Sequence, residues 1–415
     1  MDAKTLGRLD SFLDPYLTIL GREERRRHGS AYIRGLMLGD DRRTSSGIAR
    51  SCGSDEQALQ QFVGQSRWSA KALLDRLALD AQGIAPGRRA LIIDDTGFPK
   101  QGRHSVGVAR QYSGTLGKTG NCQIAVSLSL AWDQAAVPLE FELYLPEEWT
   151  SDPARLKKAG LSPNAPFKEK WKISLDLLDR AKSRGIQSGV VCADGGYGVV
   201  TEFRQELAKR RFAYALGVQK SLSFWLAPRI DIPPAPKQGK RGAPRKPLLP
   251  ERLSAESYAL ALTPDKWTSL SWREGTKGAM KSRFACALVE PANAATRTAG
   301  AREAEQWLLI EWPEGESEPT HYWLVSQAVG KDLIDLVYWA KIRWMIEMNY
   351  RELKDELGLD HYEGRSYRGW LSHVALTLVA FLFLTVERLR NKSEYLLDPP
   401  WGSPSDAATD RLRLA

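Results

Sequence analysis

A mixed α/β fold with a helical N-terminal region and a β-rich insertion is what this 415-residue sequence predicts. Three observations carry that reading. Residues 1–85 lack strand-like runs. After Arg89 two buried-strand runs, Ala90-Leu91-Ile92-Ile93 and Gly189-Val190-Val191-Cys192-Ala193, alternate with helical patterns. Residues 218–328 then hold short β-rich runs behind a Pro/Lys/Arg-rich coil with no apolar period. The length fits two or three domains. The expected division is a helical region at 1–85, a first core segment at 86–217, the insertion at 218–328, a second core segment at 329–390 and a flexible tail at 391–415.

In the N-terminal region Leu9, Phe12, Leu13, Tyr16 and Leu17 make an amphipathic start, followed by a basic run from Arg22 to Arg27. Phe62, Trp68, Leu73 and Leu77 recur at helical intervals between Asp55 and Leu79. Composition fits a plain bundle and a DNA-binding bundle equally. In the first core segment further strands are expected near Ser105–Tyr112 and Gln123–Trp132, with Gly114, Gly117 and Gly120 in the turn between them. Helices are expected at Lys170–Lys182 and about Val200–Arg210, and a strand at Phe212–Leu216. Within the insertion the β-rich runs are Trp267–Trp272, Arg283–Val289, Trp307–Trp312 and Tyr322–Val325. From Asp332 to Val386 the pattern is helical.

Charge narrows the partners. A formal net charge of +9 and a pI near 9.3 favour an acidic polymer, either nucleic acid or an anionic membrane. The most apolar stretch, Val374–Val386, is shorter than a membrane span and reads as a buried core helix, and the N-terminus lacks a signal pattern. No membrane partner is expected. Cys52, Cys122, Cys192 and Cys286 are scattered without a CxxC pair, which argues against zinc and disulfides and for a reducing cytosol. The 14 tryptophans can serve as core, as interface or as platforms for bases.

Candidate chemistry lies at three places. Asp94-Asp95 and Asp194 follow buried strands, where polar side chains converge in α/β sheets. In IRWMIEMNYRELKDELG, Arg343, Glu347 and Lys354 are four and seven residues apart. At about 100° per residue they share one helical face, beside an apolar stripe of Ile346, Tyr350, Leu353 and Leu357. Three carboxylates suffice to hold Mg²⁺ with water and phosphate, and two such ions about 3.5–4 Å apart support in-line phosphoryl displacement. Flanking Arg and Lys hold phosphates. Taken singly, each aspartate is better explained as a turn or cap residue, and the Arg/Glu pair as a surface ion pair. Their order is the more specific signal.

The blocks LIIDDTGFPKQGRHSVGVARQYSGTLGKTGNCQIAVSLSLA, VCADGGYG and RWMIEMNYRELKDELGLDHYEGRSYRGW resemble the DDE transposases of bacterial insertion sequences. The likeness is to the family numbered seven hundred and one within the IS-four superfamily, over roughly residues 15–390. It implies a ribonuclease-H-like catalytic core, a β-strand insertion before the glutamate helix and cut-and-paste transposition. It also implies Asp95, Asp194 and Glu347 as catalytic residues and as ligands of two Mg²⁺ or Mn²⁺ ions. Arg343, Glu347 and Lys354 match three positions of a Tyr-Arg-Glu-Lys signature, whose Tyr position holds Ala340. Asp194 and Glu347 are 153 residues apart, which leaves room for the insertion.

Weaker DNA-binding candidates are Lys100, Arg103 and Arg110 with His104, and the tract Lys237, Lys240, Arg241, Arg245 and Lys246, equally readable as a solvated linker. Trp267, Trp272, Trp312 and Trp323 are candidates for stacking a flipped base, as in some members of the superfamily, with core packing as the plainer role. The expected partners are double-stranded DNA, as terminal inverted repeats and target, and a second copy of the chain in a homodimer on DNA. The expected location is the bacterial cytoplasm, on the nucleoid. Two rivals stand beside this reading, a transposase-derived DNA-binding protein that no longer cuts and a metal-dependent nuclease without strand transfer.

Overall fold

The fold comes from a computed structural model that describes residues 2–394, apart from 40–41, 115–116, 188, 234–246, 276–277, 295, 297 and 299. It is mixed α/β and divides into two compact units. The first comprises Met1–Ser188 and Trp344–Leu397, and the second is built on Gly189–Arg343.

The first unit begins with five helices, α1 Ala3–Ile19, α2 Glu23–Leu38, α3 Ser45–Cys52, α4 Glu56–Gly64 and α5 Ala70–Gly83. Their starts are written locally. The side chains of Asp2, Thr44, Asp55 and Ser69 each accept a backbone N–H of the first turn. The apolar faces of α2, α4 and α5 pack on the helix Tyr367–Glu394, Phe12 of α1 meets its Phe383, and Leu13, Phe62 and Leu77 are fully buried. That helix is long and apolar enough to cross a membrane, yet 83% of its most apolar window is buried within the fold. Val374 to Phe383 is buried on every side, so it reads as the axis of this unit.

Four strands complete the unit, β1 Ala90–Pro99, β2 Ala109–Ser113, β3 Lys118–Trp132 and β4 Ala135–Tyr144. All pairings are antiparallel. Along one edge β3 pairs with β1, and along the other with β2 and then β4. Two departures from the sequence reading stand out. β4 was not expected at all. And β1 does not stop before Asp94-Asp95, because its ladder with β3 runs unbroken from Ala90↔Ala131 to Pro99↔Cys122. Asp, Thr and Gly read as turn residues, but ten paired positions override that local preference.

The chain after Asp332 is also less regular than a continuous helix. An α-helix at Leu333–Lys341 passes into a 3₁₀ turn at Ile342–Trp344, an α-helix at Met345–Arg351 and a π turn at Glu352–Glu356. Gly358, at a φ of +64°, ends the run in the left-handed conformation.

The second unit holds β5 Val190–Ala193, β6 Ala213–Val218, β7 Ser223–Leu226, β8 Leu253–Ser254, β9 Thr268–Gly275, β10 Gly278–Pro291, β11 Gln306–Pro313 and β12 His321–Ser326. β5 and β6 are parallel and joined through the helix Thr201–Lys209. From β6 the order continues antiparallel through β12, β11 and β10, and β10 also pairs with β9 and β7. The four expected β runs of the insertion therefore become β9 to β12. One face buries Leu308, Ile310, Tyr322 and Leu324 beneath the helix Ala255–Ala261. The other carries Glu311, His321 and Trp323, with Leu333–Lys341 packed on β12, β6 and β9.

Candidate active site

The period of a strand decides where the β1 carboxylates go, since neighbouring side chains point to opposite faces. Asp94 lies opposite Ser127, and Asp95 opposite Val126. The Ser127 hydroxyl meets the Tyr350 hydroxyl at 2.6 Å, and Phe141, opposite Ser127 on β4, packs on the Tyr350 ring. Lys354 donates to Thr96 Oγ1 at 2.6 Å and to the Gly97 carbonyl at 2.9 Å. Asp94, Thr96 and Phe98 thus line the face that receives the segment carrying Glu347. Burial holds the Lys354 ammonium below its ordinary pKa.

Asp95 lies on the other face. Its Oδ2 is 3.0 Å from Lys170 Nζ, at the start of the helix Lys170–Ser183. The same face holds Glu142, opposite Val126, which pairs with Arg180 of that helix. The family resemblance points to Asp95, whereas the strand geometry brings Asp94 to the Glu347 side. The sequence reading missed Lys170, and its Lys-rich surroundings give no signal for it. The period-2 pattern Asp94-x-Thr96 was the available clue to the face.

Glu347 sits in the first turn of the helix Met345–Arg351 and is exposed, next to buried Met345 and Ile346. The π turn alters the helical wheel beyond Arg351, because residues there advance by less than 100° each, so Lys354 lags behind the stripe drawn for a regular helix. Lys354 nevertheless reaches β1. Glu352 pairs with Arg388 of the axial helix at 2.8 Å.

In the second unit Asp194 caps the short helix Gly195–Gly198, its Oδ1 accepting the Gly196 N–H at 2.9 Å. The close packing behind it demands glycine. A Cβ on Gly198 would stand 1.8 Å from the Gly217 carbonyl oxygen. Cys192, two residues earlier on β5, donates to the Trp339 carbonyl at 3.3 Å, and burial pushes its thiol up to about 12. The Arg343 charge acts on that thiol in the opposite sense. Ala340, at the signature's Tyr position, is buried. Asp95 and Glu347 belong to the first unit and Asp194 to the second. Among the described residues no group of three or more His, Cys, Asp or Glu side chains forms a metal-binding cluster. The donor chemistry itself, carboxylate oxygens only, suits a hard divalent ion.

The remaining candidates separate clearly. Lys100 is tied to the Asp360 and Tyr362 carbonyls at 3.1 and 2.6 Å, and burial lowers its pKa to about 8, so it serves as an internal strut. Arg103, His104 and Arg110 are exposed. Lys237, Lys240, Arg241, Arg245 and Lys246 lie outside the described residues. Trp272 is buried with Lys341 Nζ 3.9 Å from its ring centre. Trp312 is covered by Arg283 at 3.8 Å and edged by Trp267, and Trp323 stacks on His321. One ring face of Trp312 is thus taken by Arg283 and one of Trp323 by His321.

A family model described as DDE superfamily endonuclease matches residues 15–279. The chain belongs to this family of DDE endonucleases. The DDE endonuclease is similar to the probable transposase for insertion sequence element IS701 of Microchaete diplosiphon, at 34% identity over 194 residues, 46% of this chain and 48% of that protein. The match thus spans about half the length of that relative. The NurA nuclease of Sulfolobus solfataricus aligns over 78% of this chain and 92% of its own, at 8% identity and a TM-score of 0.28, too low to carry an argument.

Proposed function

We propose that this DDE endonuclease is the transposase of an insertion sequence. It binds the terminal inverted repeats, cuts the DNA ends by metal-dependent hydrolysis and joins the 3′-hydroxyls to target DNA, acting as a homodimer on the nucleoid. One observation carries most of the weight. In a chain whose residues 15–279 match DDE endonucleases, a paired-carboxylate strand faces the segment that bears Glu347.

The core is read as ribonuclease-H-like, with Asp194, Glu347 and one carboxylate of the Asp94-Asp95 pair as metal ligands. These carboxylates would hold Mg²⁺ or Mn²⁺, two ions per site, which would supply Lewis-acid assistance to the attacking and leaving oxygens. The chain's own groups do the rest. Lys354 and Arg343 neutralise phosphates near the scissile bond. The exposed Arg103 and Arg110 and the basic tract at 237–246 hold the flanking backbone. The N-terminal helices engage the ends.

The test is an assay of nicking and joining on duplexes made from the DNA that flanks the gene. Wild-type protein with Mg²⁺ should nick at the element end and join that end to a second DNA. Cutting without joining favours the simple nuclease, and binding without cutting favours the transposase-derived binder. The two aspartates should separate in the same assay. Asp94→Asn should abolish nicking. Asp95→Asn loses a partly exposed ion pair with Lys170, worth at most about 1 kcal/mol of stability, and should keep most of the nicking. The reverse order would return the ligand role to Asp95.

A further inference from the structure

Two clefts of the first unit flank the segment Asp360–Ser366, which comes after the Glu347 region in the chain. They measure about 630 and 590 Å³ and share His361, Glu363 and Arg365 as walls. The dividing segment is built rigidly. His373, wholly buried in the axial helix, has Nε2 3.1 Å from the Gly358 carbonyl and 3.2 Å from that of Leu359. Carbonyls only accept, so Nε2 carries the proton and Nδ1 accepts from the Tyr32 hydroxyl at 2.9 Å. The Arg43 N–H donates to His361 Nδ1 at 3.0 Å, and Tyr362 stacks on His373. Lys100 fixes two carbonyls of the segment from β1's end. None of the residues proposed as metal ligands lies in this segment.

The clefts differ in what they offer. The larger is walled by the start of α3 and by α4, whose Gln57, Gln60 and Gln61 share one exposed face. α3 and α4 are joined by a three-residue turn with Gly53 at a φ of +61°, the connection used by helix-turn-helix units. The smaller is walled by Arg42 and His104. Glu363, on both walls, pairs with Arg42 at 3.4 Å, and both side chains are 63% exposed. Most of the lining side chains are polar or charged, with Val63 and Pro99 as the aliphatic exceptions, which suits a polar ligand.

We infer that the two clefts form one groove for the duplex DNA of the element's end. Arg42 and Arg365 take the phosphodiester backbone, and the glutamine face of α4 takes base edges, where Gln pairs with adenine in the major groove. The inference rests on the transposase reading and assigns its end-recognition surface. Because the dividing segment continues from the glutamate helix, end binding and active-site geometry share one support.

Fluorescence anisotropy without divalent metal, across a salt series, tests it with two probes, a duplex from the gene's flanking repeat and a scrambled duplex. Gln57→Ala with Gln61→Ala should weaken the repeat about tenfold or more and leave the scrambled duplex unchanged. Arg42→Ala with Arg365→Ala should weaken both probes alike and reduce the log–log salt slope by about 2. If wild type prefers the repeat and both variants bind as wild type does, the groove is overturned and the transposase reading stands. If wild type shows no preference for the repeat, end recognition fails as a whole and the groove with it.

Discussion

Glu347→Gln should abolish Mg²⁺-dependent end cleavage while leaving end binding within a few-fold of wild type. Loss of a ligand to the catalytic metal removes several kcal/mol of transition-state stabilisation, about three powers of ten in rate. The amide is isosteric, and Glu347 is exposed on a helix anchored by Met345, Ile346 and Asn349, so the fold has no reason to change. Asn349 itself is buried and donates to the Ala136 carbonyl at 2.9 Å, which fixes the helix on β4. Glu352 and Glu356 supply the controls. Glu352 is engaged with Arg388 on the axial helix, and Glu356 is exposed in the π turn. Glu352→Gln and Glu356→Gln should each keep most of the activity. Cleavage that survives in the Glu347 variant but vanishes in either control would overturn the choice of ligand.

The sequence made some of this legible and hid the rest for identifiable reasons. Strands β9 to β12 were readable because their apolar and aromatic runs are bounded by turn residues. The axial helix was readable because a run between His373 and Glu387 that is apolar but for Thr377 and Thr385 fits a buried helix. β4 was missed because Pro138, Glu140 and Glu142 interrupt its apolar residues, and the partners of the two glutamates, Arg180, Arg184 and Tyr367, are far away in the chain. The same blindness applies to Lys170 on Asp95, a contact made across 75 residues of chain. In the glutamate helix the spacing of Arg343, Glu347 and Lys354 was visible, but no residue type announced the 3₁₀ and π turns that flank it. Period alone contained the face of Asp94, whereas the family likeness points to Asp95 on the opposite face.

Lys341→Met should destabilise the second unit by about 3–5 kcal/mol, because it strands a buried carboxylate. Glu311 is almost fully buried, and Lys341 Nζ lies 2.8 Å from each of its oxygens. Ser282 donates to Oε1 at 2.8 Å, and His321 stands 3.6 Å from Oε2. Burial outweighs the attraction of Glu311 and holds Lys341 below its ordinary pKa, the mark of a pair whose desolvation is only partly repaid. Breaking one side should therefore cost far more than removing both. A Lys341→Met, Glu311→Gln double variant should recover to within about 1 kcal/mol of wild type, since the neutral amide still accepts from Ser282 and a thioether packs well on Trp272. Urea unfolding followed by tryptophan fluorescence measures this directly, with Trp272 and Trp323 both within 6 Å of the ammonium. Equal losses in the single and double variants would mean that packing, and not the stranded charge, sets the cost.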